Sequence, residues 1–328
     1  MVKEAPTRNL ALELVRVTEA AALAAGRFMG RGDKNAADKA SVDAMRYMLN
    51  TIEINGVIVI GEGEKDEAPM LYNGERVGTG EGPQMDLAVD PIDGTRPLSH
   101  GLPNSIATVS IAPRGTMFDP GPYVYMDKIA VGPAAKGVVD ITAPVQDNLR
   151  KIAKAKNIEL DNLTVVILDR PRHDELIKEV RRLGCRIRLI MDGDVSGALM
   201  TAWPDSGIDV LLGIGGSPEG VLAACALRAM GGEIQGRLYA RNEDETQRGH
   251  EMGYDFNKVL TMDDLVASED VFFAATGITD GELLDGVKYH SQGARTSSLV
   301  VRGLSGTVRQ INSIHRWDKL RKISSIEY

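Results

Sequence analysis

Apolar residues mark one face of the chain through its first fifty positions. Leu10, Leu14, Val17 and Ala21 recur at steps of three and four with charges between them, the spacing of an amphipathic helix. Thr7 stands where a cap belongs and Gly30 where such a helix stops. Beyond the loop Gly30-Arg31-Gly32-Asp33-Lys34 the spacing returns at Val42, Met45, Leu49 and Ile52, and Gly56 closes the pattern. The period then shortens. Residues 57–60 and 87–89 are apolar runs that predict buried strands, the first ending in Gly61-Glu62-Gly63-Glu64 and the second in Asp90-Pro91. Residues 106–112 are expected to pair beside the second run, and 128–131 form another short strand. This half reads as helices on a mixed or antiparallel sheet.

From about residue 144 the rhythm alternates. Helix 145–155 precedes strands at 163–168, 186–191 and 208–212, which are separated and followed by helices at 173–183, 195–202 and 218–230. Repeated βα units predict a largely parallel sheet with right-handed crossovers. Sites in such sheets lie at the carboxyl ends of the strands, and those ends carry Asp169-Arg170, Asp192-Gly193-Asp194 and Gly213 to Glu219. Strands at 271–275 and 297–301, with 307–311 as a hairpin partner, extend either sheet. The expected class is α/β, a layered sandwich with domains at 1–150 and 151–328.

Length and charge narrow the function. The chain has 328 residues, enough for two ordinary domains. Its 46 acidic and 38 basic residues give a net charge of −8, which argues against a general nucleic-acid binder. Glu13, Arg16, Glu19 and Arg27 interrupt the apolar N-terminal segment, excluding a signal peptide or spanning helix there. Cys185 and Cys225 have neither metal-type spacing nor a disulfide framework. A cytoplasmic protein with no membrane or nucleic-acid partner is expected.

Carboxylates gather where strands end. Glu62 and Glu64 follow one apolar strand, and Asp90 and Asp93 follow another. Pro91 fixes its own φ and disfavours α conformation at Asp90, so a sharp turn is expected there. Solvated turn acids would explain Asp-Pro alone. The full string Asp90-Pro91-Ile92-Asp93-Gly94-Thr95 behind a buried strand instead suggests acids gathered around hard divalent cations, Mg²⁺ or Mn²⁺. The absence of His and Cys from the string argues against zinc.

That string resembles the lithium-sensitive, metal-dependent sugar and inositol phosphatases. The loop 30–34, Gly61 to Glu64 with Ala68-Pro69-Met70-Leu71-Tyr72, Arg170-Pro171-Arg172-His173, Asp192 to Asp194 and Gly213 to Gly220 narrow the likeness to class II fructose-1,6-bisphosphatases, over about residues 8–317. The resemblance implies a sugar-phosphatase-type sandwich with a metal-binding first domain and a sugar-phosphate-binding second one. It implies two or more cations per site, Asp38 and Glu62 holding one, and Asp90, Asp93 and Glu219 another. Many class II enzymes carry Glu where this chain has Asp93, while the wider superfamily carries Asp. Tyr125, Arg170, Pro171, Arg172, Asp192, Gly193, Asp194 and Gly216 would contact the sugar bisphosphate, with Asp93, Gly94 and Thr95 at the reacting phosphate.

The implied reaction hydrolyses fructose 1,6-bisphosphate in gluconeogenesis. Thr95 would position or deprotonate water, aided by a carboxylate such as Glu62, with Asp90 beside it. A helix starting after Asp93 would offer amides to phosphate. Arg170 and Arg172 suit a second phosphate. Lys34 either neutralises phosphate or pairs with Asp33, Asp194 is either a sugar contact or a turn acid, and His173 caps the next helix. Glu64, Asp66 and Glu67 read as solvated or supporting acids. A dual fructose/sedoheptulose bisphosphatase, an inositol monophosphatase-like enzyme and a silent sugar-phosphate-binding subunit are the competing readings. The family likeness also implies a homo-oligomer, a dimer or tetramer. Arg295, Arg302, Arg309 and Arg316 recur every seven residues; outward positions of a strand pair explain them without function, an oligomer surface or an effector contact being the alternatives.

Overall fold

The two helical patterns fold as α1 (Ala11–Ala25) and α2 (Lys34–Leu49) in the computed structural model, which describes residues 9–63, 70–324 and 326. Thr7, Glu64, Asp66, Glu67, Ala68 and Pro69 lie outside those residues. Asp33 starts α2 by accepting the Ala36 amide at 3.0 Å, a cap that satisfies one orphan N–H. The helix ends at Leu49, so Gly56 is not its stop. Gly56 lies inside β1 (Asn55–Ile60), where a Cβ would come within 2.6 Å of the Leu87 side chain.

A two-residue strand, β2 (Arg76–Val77), edges the first sheet, and β3 (Gln84–Asp93) runs parallel to β1. The short helix α3 (Thr95–His100) leads to β4 (Ile106–Pro113), antiparallel to β3. The chain does not turn at Asp90-Pro91. The strand continues through Asp93, and its register against β4 shifts between Asp90 and Asp93. Pro91 has no N–H to give to a ladder, and a bulge absorbs the break.

Next come β5 (Tyr125–Val131), α4 (Val145–Lys156), β6 (Thr164–Leu168), α5 (Asp174–Arg182), β7 (Arg186–Ile190), α6 (Asp194–Met200), β8 (Val210–Gly216), α7 (Ser217–Met230) and β9 (Glu233–Leu238). They build a second sheet in the order β7-β6-β8-β5-β9. β7, β6 and β8 are parallel, whereas β5 is antiparallel to both β8 and β9. Residues 128–131 therefore belong to this sheet and not to the first. Met126 and Ala130 pack into the layer between the sheets while Ile129 and Val131 pack outward, so both faces of β5 need cover.

The polar helix α8 (Glu243–Glu251) and the single turn α9 (Met262–Leu265) precede the return to the first sheet. There β10 (Phe272–Gly277) pairs with β4 and with β12 (Gly293–Arg302), which also holds β11 (Lys288–His290) and β13 (Thr307–Arg316). α10 (Trp317–Ile323) closes the described chain. Three apolar clusters separate the layers. α1 and α2 cover one face of the first sheet, α6 and α7 fill the space between sheets, and α4 and α5 cover the outer face of the second.

Candidate active site

The carboxyl ends of β1 and β3 meet the starts of α6 and α7 at the seam between the two sheets. They enclose a cavity of about 260 Å³ lined by Glu62, Asp90, Asp93, Gly94, Thr95, Asp192, Gly193, Asp194 and Glu219. The β3 bulge aims its acids. Asp90 Oδ1 accepts the Ile92 amide at 3.0 Å, and Ser41 Oγ of α2 donates to the Pro91 carbonyl at 2.9 Å. Asp93 Oδ2 accepts the Ser196 amide of α6 at 2.9 Å, a bond that ties the first sheet to the second layer. Gly94 has φ +98°, which glycine adopts without strain, and Ser105 Oγ donates to its carbonyl at 2.7 Å.

Thr95 opens α3. Its Oγ1 lies 3.2 Å from the Ile92 carbonyl and 3.5 Å from Asp38 Oδ1. Pro97 in the same turn has no N–H, so α3 offers fewer amides to an anion than the sequence suggests. Lys34 sits one turn before Asp38 on α2, and its charge lowers the Asp38 pKa; burial, the larger effect, raises it. Asp33 is occupied as the α2 cap.

The acids charge one another. Burial, followed by the charges of Asp93, Glu219 and Glu62, holds Asp90 well above the usual carboxylate range. Burial and Asp194 do the same to Asp93. Glu62, at the open side of the cavity, is pushed up to about 7 by enclosure and by Asp38. Glu219 is pushed up to about 7 by burial and Asp194, against the opposing charge of Lys128. Glu219 Oε2 is buried without a hydrogen-bond partner. A Cβ on Gly216 would come within 1.6 Å of that atom, so a side chain there would push the Glu219 carboxylate aside. An unpartnered buried carboxylate oxygen among other oxygen donors fits a hard cation. Among the described residues no three acids are already drawn into a closed cage; they face the cavity from separate elements.

Lys128 is a site residue that the sequence reading missed. It is buried on β5, with Nζ 2.5 Å from Asp194 Oδ2 and 2.7 Å from the Gly216 carbonyl. A charge inside the apolar run 128–131 was its signal, since buried ammonium groups require partners.

The second-phosphate residues stand beside the cavity. Arg170 donates to Asp192 Oδ1 at 3.1 Å, and Arg172 donates twice to the Ile214 carbonyl, at 3.1 and 2.7 Å. Arg172 and Arg241 both lie over the Tyr125 ring, 5.3 and 5.9 Å from its centre. Pro171 is exposed, opens the short turn Pro171–His173, and does not line the acidic cavity. His173 does not cap α5 with its side chain. Its Nδ1 bonds the Leu168 carbonyl at 2.7 Å and its Nε2 accepts the Ile214 amide at 2.8 Å, joining β6 to β8. Arg172 and His173 also border a larger hollow of about 560 Å³ that includes Asp127 and Arg237.

A two-sheet α/β sandwich with an acidic cleft at its seam and guanidinium groups alongside places the chain among the phosphatases. The family model described as bacterial fructose-1,6-bisphosphatase, glpX-encoded, matches residues 8–315, and the chain belongs to that family. It is 49% identical over 325 residues to fructose-1,6-bisphosphatase 1 class 2 of Escherichia coli strain K12, covering 95% of this chain and 96% of that protein. The same identity and coverage hold for the fructose-1,6-bisphosphatase class 2 proteins of Escherichia coli O6:H1 and Shigella flexneri.

Proposed function

We propose that the chain hydrolyses the carbon-1 phosphate of fructose 1,6-bisphosphate in the cytoplasm, as a step of gluconeogenesis, using two or more Mn²⁺ or Mg²⁺ ions. The observation that carries this reading is one acidic cavity, with Glu219 Oε2 left unpartnered, built beside Arg170 and Arg172. Asp38 and Glu62 would hold one cation, and Asp90, Asp93 and Glu219 another. Cations bound there polarise phosphoryl oxygens, lower the pKa of water and neutralise a leaving alkoxide.

The chain's own groups supply the rest. Thr95 Oγ1 would orient water and pass a proton toward Asp38, 3.5 Å away, with Glu62 as the next acceptor. Gly94 lets the backbone approach the reacting phosphate. Arg170 and Arg172 grip the distal phosphate, Tyr125 stacks beneath Arg172, and Asp192 and Asp194 accept bonds from sugar hydroxyls on either side of Gly193. Lys128 holds Asp194 in place through the ion pair between them.

The hollow of about 560 Å³ beyond Arg172 favours a second reading within the class, a bisphosphatase that also accepts the longer sedoheptulose 1,7-bisphosphate. Phosphate release from both sugar bisphosphates and from inositol monophosphate, with Mn²⁺ or Mg²⁺, separates the readings. Release from fructose 1,6-bisphosphate is expected to fall by about 10²–10⁴-fold in Thr95→Ala and to vanish in Asp90→Asn, with unchanged circular dichroism. Full activity in either variant rejects the mechanism.

A further inference from the structure

The ring of Tyr125 gathers more positive charge than Arg172 alone brings to it. Tyr125 begins β5 opposite Gly216, beside the start of α7. The two guanidinium groups over its ring, Arg172 and Arg241, arrive from different elements. Arg172 lies in the turn after β6. Arg241 stands between β9 and α8, where the Tyr239 amide donates to the Tyr125 carbonyl at 2.9 Å and fixes the chain leaving β9 beside the ring. Two like charges brought to one ring repel each other unless an anion joins them.

Each guanidinium is held by one edge only. Glu245 accepts the Arg241 amide at 2.7 Å and Nε at 2.8 Å, and takes Nη2 as well. Arg172 gives Nε and Nη2 to the Ile214 carbonyl. Among the described residues, Nη1 of both arginines and the Tyr125 hydroxyl have no hydrogen-bond partner. The Glu245 end is itself anchored. Asn242 Oδ1 accepts the Glu245 amide at 2.9 Å, and the hydroxyl of the buried Tyr123 donates to the Glu245 carbonyl at 3.2 Å. A cation just before a helix N-terminus opposes the helix dipole, so α8 has no need of an arginine at 241. Two guanidinium edges and a phenol left with free donors suit the oxygens of a phosphate. We propose that Arg241, with Arg172 and the Tyr125 hydroxyl, binds the phosphate that the reaction leaves in place and sets the preference for sugars carrying a second phosphate, a role that rests on the sugar bisphosphate being the substrate.

The test uses the full chain with Mn²⁺. The Arg241 side chain is 60% exposed, so Arg241→Gln is expected to leave circular dichroism unchanged. It is expected to raise KM for fructose 1,6-bisphosphate about tenfold or more, with kcat within about twofold of wild type, because a contact to the retained phosphate is the same before and during the reaction. Fructose 6-phosphate carries that phosphate alone, so its inhibition constant should rise by the same factor. Arg241→Lys keeps the charge without the fork and should recover part of both losses. An Arg241→Gln variant with unchanged KM overturns the proposal, as does one in which kcat falls while the inhibition constant of fructose 6-phosphate stays put. A wild type that releases no phosphate from fructose 1,6-bisphosphate overturns the substrate reading itself, and the role of Arg241 with it.

Discussion

A lysine ammonium does not enter a protein interior without an anion, and Lys128 finds one in Asp194 and a carbonyl in Gly216. Removing one member of a buried pair leaves the other charge uncompensated. Lys128→Met is therefore expected to lower the unfolding free energy by about 3–5 kcal/mol, and Lys128→Met/Asp194→Asn to recover part of that loss. A urea-denaturation cycle on the two single variants and the double reads the coupling; simple additivity would show that the pair does not interact. His173 presents the opposite case, a ring held neutral. Burial lowers its pKa from the ordinary 6.5, so the unfolded chain takes up a proton that the folded ring refuses. Its contribution to stability is present above pH 6.5 and is lost as pH falls below that value. His173→Leu is expected to cost about 1–3 kcal/mol at pH 7.5. The gap to wild type should narrow at pH 5.5, and equal gaps at both pH values would contradict the neutral-ring assignment.

Elements were legible where apolar spacing carried them. The βα rhythm from residue 145 to 230 is present in the fold because each helix buries a periodic face on a strand run. α8 was invisible because Gly249 is its only buried residue and its N-terminus rests on the Asn242 cap. The first turns of α2 were hidden for a similar reason, as Lys34, Asn35, Asp38 and Lys39 are polar. The sheet to which β5 belongs depends on which faces need covering, which its four apolar residues do not encode. The candidate site was legible as short strings, since Glu62, Asp90, Asp93, Thr95 and Glu219 do line one cavity. The bulge that aims Asp90 was not, because Pro91 allows either a turn or a broken ladder. The junction of β8 and α7 gives a prediction at this scale. Gly216→Ala forces Glu219 aside, so Mn²⁺ affinity by calorimetry and activity should both fall about 10–100-fold. Unchanged affinity would separate Glu219 from cation binding.

At the scale of the molecule, the cavity takes residues from the first sheet and from α6, α7 and the turn before α6, so a ligand that bridges them binds only the closed fold. Mn²⁺ at a hundred times its dissociation constant is expected to stabilise the protein by about 2.7 kcal/mol. Thermal melts with and without chelator measure this, and identical midpoints would place the cation elsewhere. No helix of the described residues is long and apolar enough to cross a membrane. The two sheets differ in how the chain supplies them. The second is drawn from one unbroken stretch, β5 to β9, whereas the first waits for β10 to return to β4 across more than 150 positions. Emergence from the ribosome runs in that order, so the later-numbered layer can close while the first sheet still has an open flank at β4. Loop closure over such a separation is slow. In refolding, pulse-labelled amides of β6 and β8 should gain protection before those of β4, and a chaperone should meet this nascent chain at its unfinished first sheet.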